Sequence, residues 1–116
     1  MRKTLFLTAA LLALSVGAAS AQKPIKIGFV STFSGPTAVI GNDMRNSFEL
    51  ALDHLGRKIG GQPVEVIYED DQQKPEVGKQ KTDKLISSDR VNFLTGYIWS
   101  NVLARRRSAN TSIRKA

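Results

Sequence analysis

The chain has 116 residues, a formal charge of +7 and no cysteine. It is too short for more than one small domain, and neither a disulfide framework nor a thiolate metal site can be built from it. The charge excludes less than it suggests. Arg2 and Lys3 hold two positive charges, five more follow Ala104, and residues 22–104 contain ten basic and ten acidic side chains. A nucleic-acid binder would carry its excess on the folded part, so no nucleic-acid partner is expected.

In chain order, Arg2 and Lys3 precede an apolar run over 5–16, broken only by Thr8 and Ser15, and then Ala19-Ser20-Ala21. This is the layout of a secretory leader cut before Gln22. The run is too short to span a bilayer, and no lipobox cysteine follows, so the expected product is an exported soluble chain of 95 residues without stable membrane insertion. From Ile25 the alternation through Ser31 predicts a first strand. Ser34-Gly35-Pro36-Thr37 reads as loop, and Gly41-Asn42 as a turn followed by a helix N-cap. Met44, Phe48, Ala51, Leu52 and Leu55 then fall on one helical face, with Gly56 as its stop.

Gly60-Gly61-Gln62-Pro63 predicts a turn, and residues 64–69 a second strand with Val64, Val66 and Tyr68 on one face. Glu69-Asp70-Asp71 reads as a solvated strand end in preference to a metal site, because one segment supplies too few converging ligands. Pro75 suits the first position of a second helix, expected to end near Ser88-Asp89. Residues 91–96 predict a third strand, and Ser100-Asn101 the start of a third helix. Strands alternating with helices give an α/β fold, a partial doubly wound parallel sheet of β-α-β-α-β form, with the strand order 2-1-3 taken from the common doubly wound arrangement.

In such sheets ligands sit beyond the carboxyl ends of the strands, where the winding reverses. Two segments flank that crevice. One is 32–38, with Ser34 and Gly35; the other is 96–101, with Tyr97, Trp99, Ser100 and Asn101. Both combine hydroxyls, small residues and free backbone N–H groups near a helix start, which suits a carboxylate or other anion. Trp99 either walls an apolar ligand body or packs the sheet edge, and Tyr97 favours packing. Catalytic patterns are poor. His54 is the single histidine, and no Gly-x-Ser-x-Gly elbow surrounds Ser34 or Ser100, so a hydrolase reading finds no support and no enzyme activity is expected. Phosphate-loop and dinucleotide fingerprints are missing, and no cofactor or metal is expected.

The succession Ile25-Lys26-Ile27-Gly28, Ser34-Gly35-Pro36, Gly41, Leu52-Asp53-His54-Leu55, Gly60-Gly61 and Glu69-Asp70-Asp71 closely resembles the Leu/Ile/Val-binding protein family. These are periplasmic substrate-binding components of branched-chain amino acid type ABC transporters, and some relatives look specialised for aromatic acids. The resemblance runs from about Ile25 to Ala104 and implies the start of the first lobe of a type I periplasmic binding protein. It implies a small-molecule ligand, an amino acid or other small carboxylate, and a membrane permease as partner of the full-length form. By the same resemblance Ser100, with Trp99 and Asn101, holds the ligand carboxylate. Ile40 takes a position where the family often has an aromatic ligand contact.

A complete family member has two lobes, whereas this sequence supplies three strands of the first. After Ala104 the apolar period gives way to a basic tail, 105–116. The expectation is a truncated solute-binding component, from a frameshift or an early stop. Its third strand would be left at an edge, and binding would be impaired. The alternative is a small exported α/β interaction module using its basic tail.

Overall fold

The computed structural model describes residues 22–104; the leader and the basic tail lie outside the described residues. The elements are β1 (Ile25–Ser31), α1 (Ala38–His54), β2 (Lys58–Ile59), β3 (Gln62–Asp70), α2 (Pro75–Ser87) and β4 (Phe93–Thr95). Residues 100–104 turn helical again. The sheet order is β2-β3-β1-β4. β1 pairs in parallel with β3 from Ile25↔Val64 to Ser31↔Asp70, and with β4 from Ile27↔Phe93 to Phe29↔Thr95. The three expected parallel strands are thus present in the expected order.

Side chains alternate across β1, so its two faces receive different helices. On one face the Phe29 ring meets Phe48 of α1 at 5.2 Å and Tyr68 of β3 at 5.2 Å. On the other face Gly28 leaves room for α2: a Cβ there would lie 2.9 Å from both Leu85 and Leu94 side chains. Ile27, Phe29, Val30, Leu52, Leu85 and Val102 form the buried apolar core.

Three local predictions need correction. First, α1 starts at Ala38 with Thr37 as N-cap, three residues before the expected turn at Gly41-Asn42. The turn falls earlier, where Gly35 takes φ +76° and its carbonyl accepts the Ala38 N–H at 3.1 Å. Gly41 is a helical residue, chosen for closeness: a Cβ there would sit 2.0 Å from the Thr32 carbonyl oxygen. Second, the Gly60-Gly61 turn closes a hairpin, because β2 pairs antiparallel with Gln62 and Pro63. Both glycines have positive φ, as a two-residue type I′ connection requires. β2 is short and exposed, so no alternation marks it in the sequence. Third, the predicted α1 face is only partly covered. Leu52 is buried and Met44 and Phe48 are half-buried, but Ala51 and Leu55 are exposed. The stop at Gly56 is as expected: the Gly56 N–H reaches Asp53 O and the Arg57 N–H reaches Leu52 O, the paired bonds of a Schellman end.

The acidic run ending β3 is also not a solvated strand end. Asp70 accepts the Gln72 N–H (2.9 Å) and Asp71 the Gln73 N–H (2.8 Å), which holds two consecutive glutamines at positive φ in the turn to α2. Glu69 is buried and paired with Lys81 (2.8 Å) and Lys84 (2.6 Å) of α2. Burial pushes the Glu69 carboxyl up, but the hydrogen bonds and charges of the two lysines outweigh it and hold the group below its ordinary 4.5.

Two stability outcomes follow. Gly→Ala inside a helix ordinarily stabilises by about 0.5–1 kcal/mol, whereas Gly41→Ala is expected to destabilise by ~1–3 kcal/mol because the new methyl meets backbone; a urea midpoint decides. The depressed Glu69 contributes stability that is complete above its unfolded-state value and lost as pH falls through the lower folded one. Glu69→Gln should therefore lower the melting temperature at pH 7, by about 1 kcal/mol equivalent. The gap from wild type should close in melts taken well below pH 4.5.

Candidate functional site

β1 and β4 are adjacent and parallel, so the loops that follow them leave the sheet at the same end. After β1 comes the turn with Ser34 and Gly35, both exposed, and then the first turn of α1, where Ile40 is 43% exposed. After β4 come Tyr97 and Trp99, both half-buried, and Ser100 and Asn101, both exposed. All seven predicted site residues thus lie at one end of the molecule. Gly96 makes the second loop possible. Its φ is +91°, and a Cβ would come within 2.5 Å of the Phe29 ring and 2.9 Å of the Val30 carbonyl oxygen, so the chain turns directly over β1.

The polar groups of these residues are divided between inward and outward duties. Asp70 accepts the Phe33 N–H at 2.9 Å, and the neighbouring Ser34 hydroxyl helps to stabilise its charged form. Burial raises the Asp70 carboxyl, and the bonds from Ser34, Phe33 and Gln72 more than reverse it, leaving the group below its ordinary range. Tyr97 shares a hydrogen bond with Thr82 of α2 at 2.6 Å, the packing role favoured from sequence. The Trp99 indole donates to Thr32 Oγ1 at 3.0 Å. Asn101 Oδ1 accepts the Val102 N–H at 2.9 Å.

Two helix starts therefore face the same end of the sheet. α1 has no acidic residue in its first turn, and Thr37 makes no side-chain cap bond. The second start is at Ser100. The Ala38 and Ile40 N–H groups go to Gly35 O and Thr37 O, and the Val102 N–H goes to Asn101 Oδ1; the positive end of each helix dipole still favours an anion there. Among the described residues no cluster of three or more His, Cys, Asp or Glu is placed to hold a metal. A concavity of about 620 Å³ runs from Ile40 along α1 toward Ala51, bordered by Phe29, Met44, Phe48, Thr95 and Gly96. Another, about 550 Å³ around Lys23, Gln62 and Asn92, lies at the opposite end of the strands.

Sequence reasoning missed Thr32, Asp71 and Thr82 as supports of the second loop. All three are fully buried polar residues. The signal was present only as an acidic run and two unremarkable threonines.

Residues 24–111 match the family described as periplasmic binding protein. The chain belongs to that family. Within it, the chain is 30% identical over 101 residues to the Leu/Ile/Val-binding protein homolog 6 of Brucella abortus, covering 86% of this chain and 26% of the relative. Among solved structures, an ABC transporter substrate-binding protein from Sphaerobacter thermophilus superposes with a TM-score of 0.73 at 40% identity, over 79% of this chain and 25% of that one. The branched-chain amino acid transporter substrate-binding protein LivJ from Streptococcus pneumoniae, in complex with isoleucine, gives 0.71 at 27% identity, over 78% and 26%. A solute-binding protein from R. palustris in complex with benzoate gives 0.72 at 27% identity, over 78% and 25%. This periplasmic binding protein chain spans about a quarter of the length of these relatives. Its β-α-β-α-β sheet is the opening of a type I periplasmic binding fold.

Proposed function

We propose that the chain serves solute capture for an ABC transporter, supplying part of one lobe of a binding protein for an amino acid or a related small carboxylate. The observation that carries this reading is the convergence of two helix starts, at Ala38 and Ser100, on one end of the paired strands β1 and β4. Isoleucine and benzoate, the ligands in two of the similar structures, share only a carboxylate and an apolar body. The carboxylate is received by the backbone N–H groups of Val39, Ser100 and Asn101 and by the Ser100 hydroxyl, since those of Ala38, Ile40 and Val102 are bonded within the chain. Ser34, beside Asp70, borders the site. Ile40 and the Trp99 ring border the apolar body, with Gly35 and Asn101 shaping the rim; Tyr97 supports from beneath through Thr82.

In this reading the protein works in the periplasm after removal of the leader near Ala21, and its partner is the transporter's permease, engaged by the longer two-lobed form. The site uses binding groups throughout and no catalytic residue. A single lobe offers about half the contacts that enclose a small ligand. Affinity for the chain alone should therefore be weak, on the order of millimolar.

Trp99 is the single tryptophan, which makes the test direct. Isoleucine and benzoate should each change its fluorescence saturably, while benzyl alcohol, which lacks the carboxylate, should not. Ser100→Ala should weaken the benzoate response by about fivefold, the worth of one hydrogen bond near 1 kcal/mol. An equal response to benzyl alcohol, or no response to either carboxylate at tens of millimolar (roughly ten times the expected constant), would refute the reading.

A further inference from the structure

Ser100 and Asn101 are exposed, yet the residues on both sides of them are held from below. Trp99 donates its indole proton to Thr32 Oγ1 at 3.0 Å, and Thr32 donates its own proton to Asp71 Oδ1 at 2.6 Å. The direction of this chain is forced, because an indole N–H can only donate and a carboxylate can only accept. Thr32 and Asp71 are fully buried, so the bond between them is charge-assisted and shielded from water. Asp71 is itself fixed by backbone bonds, its N–H to Ser31 O at 2.9 Å and its carbonyl to the Lys74 N–H at 2.8 Å. Two residues beyond Ser100, Val102 is fully buried. It fills the space over Gly78, where a Cβ would lie 2.4 Å from Val102 and 3.4 Å from the Asp71 side chain.

We propose that Thr32 and Asp71 are positioning residues for the carboxylate site, setting the place of Trp99 and through it the first turn of the 100–104 helix that carries Ser100. This rests on the carboxylate reading of that turn, but its mechanical content does not need a ligand. Both residues are fully buried. They act by fixing a donor-only ring whose neighbour in sequence makes the ligand contact. A hydroxyl at position 32 is required, and the methyl group of threonine is not.

The test follows the Trp99 indole N–H and the Ser100 amide by NMR in the whole chain, without ligand. Thr32→Ser should keep both cross-peaks at their wild-type positions. Thr32→Val should move the indole signal upfield, speed its exchange with water and displace the Ser100 amide. Asp71→Asn, which keeps an acceptor but loses the charge, should fall between. Tyr68→Phe is the control for general destabilisation, since it removes the Tyr68–Glu49 bond, which leaves this chain of bonds intact; it should leave both signals in place. The proposal is overturned if Thr32→Val leaves the indole unmoved, if Tyr68→Phe moves it as far, or if the wild-type indole already exchanges like free tryptophan. Titrating benzoate into the same samples separates the two readings. A wild-type chain with a protected indole and no benzoate response would refute the carboxylate site while leaving the Thr32–Trp99 linkage intact.

Discussion

The structure depends on β1 accepting parallel partners on both edges. Among the described residues it is the single strand that does so, with β3 along its full length and β4 over three residues. Parallel pairing requires a crossover on each side, and the two crossovers place α1 on one face of β1 and α2 on the other. Close contact on both faces is obtained with glycine. Gly28 admits Leu85 and Leu94, Gly41 brings α1 against the Thr32 carbonyl, and Gly96 carries the last loop over Phe29. Because β1 and β4 run in the same direction, their following loops must meet, and the candidate site is a consequence of strand order.

Strand and helix types were legible because the signals were local and strong. The alternation of β1, Pro75 at the head of α2 and Gly56 past the end of α1 each act through nearby backbone, and each stands where expected. What was not legible depended on distant partners. Gly41 reads as a turn because glycine usually marks one; its reason for being in α1 is the Thr32 carbonyl nine residues back. Glu69-Asp70-Asp71 reads as solvated because acidic residues usually are. Their burial is made possible by Lys81 and Lys84 on α2 and by backbone N–H groups of the adjoining turns. The site loops could be located from strand order alone. The hydrogen bond that ties Trp99 to Thr32 spans 67 residues and has no sequence signature.

The uneven covering of α1 has the same origin. Its buried contacts are with β1 and β3, while the side toward β4 is open. Ile40, Met44 and Ala51 border the groove there, and Phe93 stands 63% exposed on the end strand. An end strand with apolar neighbours is a natural place for association. The matched part of this chain covers 26% of the Brucella abortus relative. Groove and proposed site share Ile40 and Gly96 but differ in character: the proposed site carries the Ser34 and Ser100 hydroxyls beside two helix starts, and the groove is lined mainly by carbon.

That difference allows the central claim, that the loops after β1 and β4 together form a carboxylate-binding half-site, to be tested at residue level. The most direct measurement is amide chemical-shift mapping of the chain with benzoate. The account predicts that perturbations rise together in residues 34–40 and 97–101 and scale with one binding constant. Perturbations confined to the groove beside α1, at Met44, Ser47 and Ala51, or to the opposite end of the strands around Lys23 and Asn92, would contradict it.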